Sequence, residues 1–149
     1  MKRVVVTGIG AITPIGNNIS TYLEWLKHGT NEAKPNKKFD PALFKTRFAC
    51  EVKGFVPEEF IEKKEVRRLD RFTQFALVAA GEGLRDSGLD LEAVDKQRVG
   101  VIWASGIGGL HTLEKEIEDH ITGSGTPRHN PFLIPKMITN MGAGMISIQ

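Results

Sequence analysis

Apolar positions fall in separated blocks along this chain, and their spacing predicts alternating strands and helices. Val4–Val6 is a β-branched run that reads as a short buried strand. It empties into a glycine-rich loop, Thr7-Gly8-Ile9-Gly10 and then Thr13-Pro14-Ile15-Gly16. Ser20 is placed to cap a helix over Thr21–His28, with Gly29 as its stop. Residues 30–46, which contain Pro35, Pro41 and several lysines, read as an irregular surface loop. Phe48–Val52 is a candidate short strand, and Pro57 starts a short helix near Glu58–Glu62. The longest predicted helix runs from Val66 to Asp86. Val66, Leu69, Phe72, Ala76, Ala79, Ala80 and Leu84 recur on it at three- and four-residue steps. Its Ala79-Ala80-Gly81-Glu82-Gly83 stretch is small enough to let a neighbouring element approach closely, and Ser87-Gly88 ends it.

In the second half, Val99–Ala104 lacks polar alternation and so predicts a strand buried on both faces. It runs through Ser105-Gly106-Ile107-Gly108-Gly109 into a helix over Leu110–Ile121, with Leu110, Leu113, Ile117 and Ile121 as the apolar stripe. Residues 123–130 read as a loop. A last helix is expected from Ile134 to the end, with Pro135 in its first turn and Ile134, Ile138, Met141, Met145 and Ile148 on one face. Trp25 and Trp103 are assigned to the core, and Met137, Met141 and Met145 to a packing stripe. The final stretch is apolar and carries no stop signal, whereas domain ends are usually polar and exposed. The expectation is therefore a piece of a longer protein. By itself it should lack sheet strands and a partner for its last helix, and be poorly soluble or partly unfolded.

Composition narrows the function classes. The chain has 149 residues, 40% hydrophobic and 26% charged, which suits one soluble domain. A net charge of +2 gives no general reason to expect nucleic acid or a membrane as partner. No run approaches the roughly 20 apolar residues of a membrane helix, and no secretory signal precedes the first strand, so a cytoplasmic protein is expected. Cys50 is the single cysteine, and the four histidines (His28, His111, His120 and His129) are scattered, so neither a disulfide nor a metal site is expected. The first loop has the look of a nucleotide site, yet Gly8 and Gly10 are followed by Thr13 where a dinucleotide fingerprint needs its third glycine. A Walker Gly-Lys-Ser/Thr is absent too. A nucleotide-binding oxidoreductase would need a completed fingerprint and an acidic ribose partner after a second strand, and neither is present.

Four motifs in order carry a resemblance. They are Val-Val-Val-Thr-Gly-Ile-Gly-Ala-Ile-Thr-Pro-Ile-Gly (4–16), Leu-Asp-Arg-Phe-Thr-Gln-Phe-Ala-Leu-Val-Ala-Ala (69–80), Ser-Gly-Ile-Gly-Gly (105–109) and Asn-Pro-Phe-Leu-Ile-Pro-Lys-Met-Ile-Thr-Asn-Met (130–141). Together they resemble the β-ketoacyl-acyl carrier protein synthases, condensing enzymes of the thiolase-like superfamily, and within them the elongating type II form. The resemblance implies an α/β layered fold in which a mixed sheet is sandwiched by helices, with residues 1–149 as the N-terminal part. It implies a homodimer, no metal or organic cofactor, and acyl carrier protein bearing acyl and malonyl groups as the partner.

In such enzymes a cysteine in a Thr-Ala-Cys-x-x-Gly setting attacks the acyl thioester, and two histidines assist the decarboxylative condensation. Nothing here matches that setting. Cys50 lies in Phe-Ala-Cys-Glu-Val, with no glycine turn and no helix to activate it. The resemblance places the nucleophile and both histidines beyond Gln149, so the chain alone should condense nothing. What it offers is pocket and docking surface. Ile107 matches a residue lining the acyl pocket. Phe132 and Leu133 match the dimer-interface segment that reaches the partner's pocket, where many relatives carry Phe at the second position. Lys64, Arg67, Arg68 and Arg128 match a basic patch that receives the acidic carrier. Each feature also has a plainer reading: a tight turn at Ser105–Gly109, ordinary core at Phe132 and Leu133, and a solvated helix face for Lys63–Arg71. A non-catalytic partner of the chain-length-factor kind, keeping the fold but not the cysteine, is the alternative.

Overall fold

The computed structural model describes residues 2–123 and 129–149. Its axis is the helix Arg71–Ser87, flanked in the chain by Ile19–Lys27, Lys63–Val66, Leu110–Thr122, Leu133–Met137 and Met141–Ile148. In chain order these are α1 (19–27), α2 (63–66), α3 (71–87), α4 (110–122), α5 (133–137) and α6 (141–148). The N-terminal half of α3 is buried around most of its circumference, at Thr73, Gln74, Ala76, Leu77, Val78 and Ala79. Phe55, Ile61 and Leu69 close the core with Leu77 and Val78, and Met145 and Ile146 of α6 pack against it. Each fully buried side chain of this size contributes about 1.5–3 kcal/mol. Gly142 brings α6 close to α3: a Cβ there would lie 2.9 Å from Trp103 Cδ1 and 3.5 Å from Ala76 Cβ.

The paired strands among the described residues are β1 (Ala33–Pro35) and β2 (Phe48–Cys50). They run antiparallel, with Ala33 opposite Cys50 and Pro35 opposite Phe48. β1 thus falls inside the stretch expected to be irregular. Glu32 pins this pair by accepting from Lys34 Nζ at 2.8 Å and from Lys53 Nζ. Those two hydrogen bonds, Lys34 first, hold its carboxyl below the usual range. A folded value below the unfolded one stabilises at neutral pH, and the stabilisation is lost as pH falls through the lowered value. In melting curves taken across pH, Glu32→Gln should therefore melt slightly below the wild type at pH 7, and the two should converge under acid.

Several expectations are corrected. Val4–Val6 and Val99–Ala104 pair with no strand among the described residues, and they are open to solvent: Val4 is 92% exposed, Val6 81% and Ile102 99%. A strand's backbone polar groups need a ladder partner, and neither segment has one among the described residues. Thr7, which follows the first segment, and Val99 and Val101 of the second instead line an open groove of about 590 Å³ together with Gly83, Leu84 and Ile148. The expected Val66–Asp86 helix starts only at Arg71, because Asp70 is extended (φ −76°, ψ 162°) and its carboxylate caps α3 by accepting from Phe72 N. The expected last helix is broken at Ile138, where ψ of 136° separates α5 from α6. Asn18, not Ser20, caps α1, accepting from Thr21 N at 2.8 Å. Trp25 stands half exposed on α1, and Leu110, Ile117 and Ile121 of the α4 stripe face solvent.

Candidate functional site

The glycine loop that resembles a phosphate cradle is filled from within. Glu82 of α3 accepts from Ala11 N (2.9 Å, Oε2) and from Ile19 N (2.8 Å, Oε1), and Asp86 accepts from Ile9 N at 2.9 Å. The N–H groups that would hold a pyrophosphate are therefore spent on two carboxylates, which would repel one. Gly8 and Gly10 serve close packing: a Cβ on them would lie 2.1 Å from Gly83 O and 2.0 Å from Ala79 O. Sequence reasoning missed Glu82 and Asp86. Their signal was two acids in the second half of a helix, against the macrodipole, a local conflict that a tertiary partner resolves.

The Ser105–Gly109 turn is joined to α5. Ser105 Oγ accepts from Gly108 N at 3.1 Å, and Gly109 N donates to Met137 O at 3.1 Å. Gly108 has φ of +79°, and a Cβ there would meet Met137 O at 2.2 Å. The glycine at this position is required by both conformation and contact. Ile107 projects outward from the turn and is exposed, while Leu133 opens α5 half-buried with Phe132 before it. The two pocket candidates thus sit on elements in direct backbone contact.

Four consecutive residues at the α2–α3 junction each hold a different element. Arg68 places its guanidinium 5.3 Å from the Phe132 ring centre and donates from Nη1 to Glu65 Oε1 at 2.8 Å. Leu69 enters the core. Asp70 caps α3 and also accepts from Thr112 Oγ1 in the first turn of α4. Arg71 lies over Phe55 (4.6 Å) and Phe75 (5.1 Å) and donates to Phe55 O at 3.4 Å, so it serves packing more than an outward charge. Lys64 and Arg67 are exposed and have no ion-pair partner among the described residues. Arg128 lies outside the described residues. The basic run, α5 and the Ser105–Gly109 turn therefore form one surface, tied together by Asp70, Arg68 and Met137.

Other chemistry is sparse. Cys50 is exposed on β2 rather than at a strand-to-helix turn. The His120 and His129 rings lie 5.5 Å apart, and among the described residues no group of three His, Cys, Asp or Glu side chains is arranged to hold a metal.

The family model described as "Beta-ketoacyl synthase, N-terminal domain" matches residues 1–149. The 3-oxoacyl-[acyl-carrier-protein] synthase 2 of Synechocystis sp. is 42% identical over 147 residues, covering 99% of this chain and 35% of that protein. Its counterpart from Coxiella burnetii is 40% identical, covering 99% and 36%. Two solved structures superpose with a TM-score of 0.73. One is a type II PKS acyl-carrier protein in complex with its ketosynthase bound to the hexaketide (25% identity, 99% of this chain, 38% of that one). The other is the ishigamide ketosynthase/chain length factor (27%, covering 97% and 36%). The chain spans about a third of the length of the curated relatives it matches. With a family model matched over residues 1–149, 42% identity over 99% of its length and a ketosynthase-like, thiolase-type fold, this chain belongs to the β-ketoacyl synthase family.

Proposed function

We propose that residues 1–149 are the N-terminal part of a 3-oxoacyl-[acyl-carrier-protein] synthase of fatty acid elongation. The intact enzyme condenses malonyl-acyl carrier protein with an acyl group held on a cysteine, releasing CO2, and works as a cytoplasmic homodimer. The observation that carries this reading is the match to two 3-oxoacyl-[acyl-carrier-protein] synthases 2 over 99% of the chain. The geometry supports it, because the Ile107 turn, α5 and the basic junction share one surface. In this reading Ile107 limits the acyl tail and Leu133, with Phe132, shapes the partner's pocket. Lys64, Arg67, Arg68 and Arg128 receive the carrier's acidic face. The nucleophile and both histidines lie outside these residues, and the 149-residue chain alone is expected to condense nothing. A solved relative in complex with an acyl-carrier protein supports the partner.

The test is product formation by the full-length protein from malonyl- and acyl-carrier substrates, followed as CO2 release. Lys64→Ala and Arg67→Ala should each raise KM for the carrier about threefold, because exposed charges act on encounter. Ile107→Phe should shorten the longest acyl group accepted. A second reading, a non-catalytic chain-length-factor-like subunit, is favoured by the resemblance to the ishigamide ketosynthase/chain length factor. That subunit would release no CO2 by itself and would carry another residue at the cysteine position.

A further inference from the structure

Arg68 sits where the basic run meets α5, and its guanidinium has two partners of different kinds. Its Cζ lies 5.3 Å from the centre of the Phe132 ring, and Nη1 donates to Glu65. Phe132 is the residue from which α5 starts. Its amide donates to Asn130 Oδ1 at 2.9 Å, its carbonyl accepts from Lys136 N at 2.9 Å, and Asn130 N donates to Glu116 of α4 at 3.3 Å. At the far end of α5, Met137 O accepts from Gly109 N of the turn that carries Ile107. A helix of five residues has almost no stability of its own. Its position is set by packing against α4 together with what holds its ends, and one end lies beside Arg68.

We propose that Arg68 is a positioning residue that couples carrier docking to the shape of the acyl pocket. The guanidinium, set over the Phe132 ring, seats that ring and with it the start of α5. Its remaining N–H edge receives an acidic side chain of the carrier protein. This rests on the function proposed above. The physical basis is the shape of the group: a guanidinium is planar, with five in-plane donors and a face that stacks on rings, so it can hold a ring and a carboxylate at once. A lysine ammonium keeps the charge and loses the plane. Lys64 and Arg67, which have no ring partner among the described residues, supply charge alone.

The full-length protein separates these roles. Arg68→Lys should leave KM for the carrier within about twofold while lowering kcat about fivefold. It should also speed hydrogen exchange of the peptide spanning 130–138, which includes the Lys136 and Ile138 amides, by about fivefold. Phe132→Leu should reproduce both effects, and the double variant should be no worse than the worse single one, since both remove the same contact. Lys64→Ala should raise KM without changing that exchange. Unchanged exchange and kcat in Arg68→Lys, or fully additive effects in the double variant, would overturn the coupling. A wild-type protein that elongates no carrier-bound acyl group overturns the docking half together with the function proposed above. The exchange data then still decide whether Arg68 seats α5.

Discussion

Gly10→Ala is expected to destabilise the protein by about 3 kcal/mol, on the order of 10 °C in Tm. The added Cβ would stand 2.0 Å from Ala79 O and 2.7 Å from Gly83 N. Both are backbone atoms of a buried helix, so no side chain can swing aside. The loop must lift from α3, and the Ala11–Glu82 and Ile9–Asp86 hydrogen bonds are strained with it. Gly81→Ala is the matched comparison. It lies in the same helix with only Arg85 Nη1 near, at 3.5 Å, and replacing a helical glycine there should stabilise by about 0.5–1 kcal/mol. Opposite signs at Gly10 and Gly81 in urea unfolding would support the packing account. Equal, small effects would remove it.

Glu82→Gln should cost about 3 kcal/mol although it changes hardly any volume. The carboxylate accepts from Ala11 N with one oxygen and from Ile19 N with the other. A carboxamide has one oxygen, so its NH2 must face one of the two N–H donors, and that donor is left without a partner. Asp86→Asn is the contrasting variant. Asp86 accepts a single bond, from Ile9 N, which the amide oxygen can keep, so about 1 kcal/mol is expected. Chemical unfolding of both variants, with hydrogen exchange at the Ala11 and Ile19 amides, reads the difference. If Glu82→Gln and Asp86→Asn prove alike within about 0.5 kcal/mol, the two-oxygen clamp does not hold the loop.

These two sites also divide what sequence could and could not reveal. The four motifs and their order were legible because they are local strings. The helices α1, α3 and α4 were legible because a 3.6-residue period shows in the chain itself. The near-fingerprint at Gly8–Thr13 departs from a dinucleotide loop by its spacing, but what occupies its N–H groups is an acid 71 residues away in sequence, Glu82 against Ala11. Helix ends are less legible in the sequence where a short polar residue decides them. Asp70 looks like one more position in a periodic run until its carboxylate turns back to Phe72 N and outward to Thr112.

Sequence alone determined which segments seek burial, which residue types carry charge and pocket character, and which family the motifs belong to, because each is written in neighbouring residues. Tertiary structure decided the rest. Val4–Val6 and Val99–Ala104 have strand composition, yet they form no ladder among the described residues, because hydrogen-bonded pairing belongs to two segments and not to one. Likewise, Arg68 became a seat for Phe132 and Arg71 a lid on Phe55 only once folding brought distant rings beneath them. Charge is a property of a residue, whereas what that charge does depends on the groups that packing sets beside it.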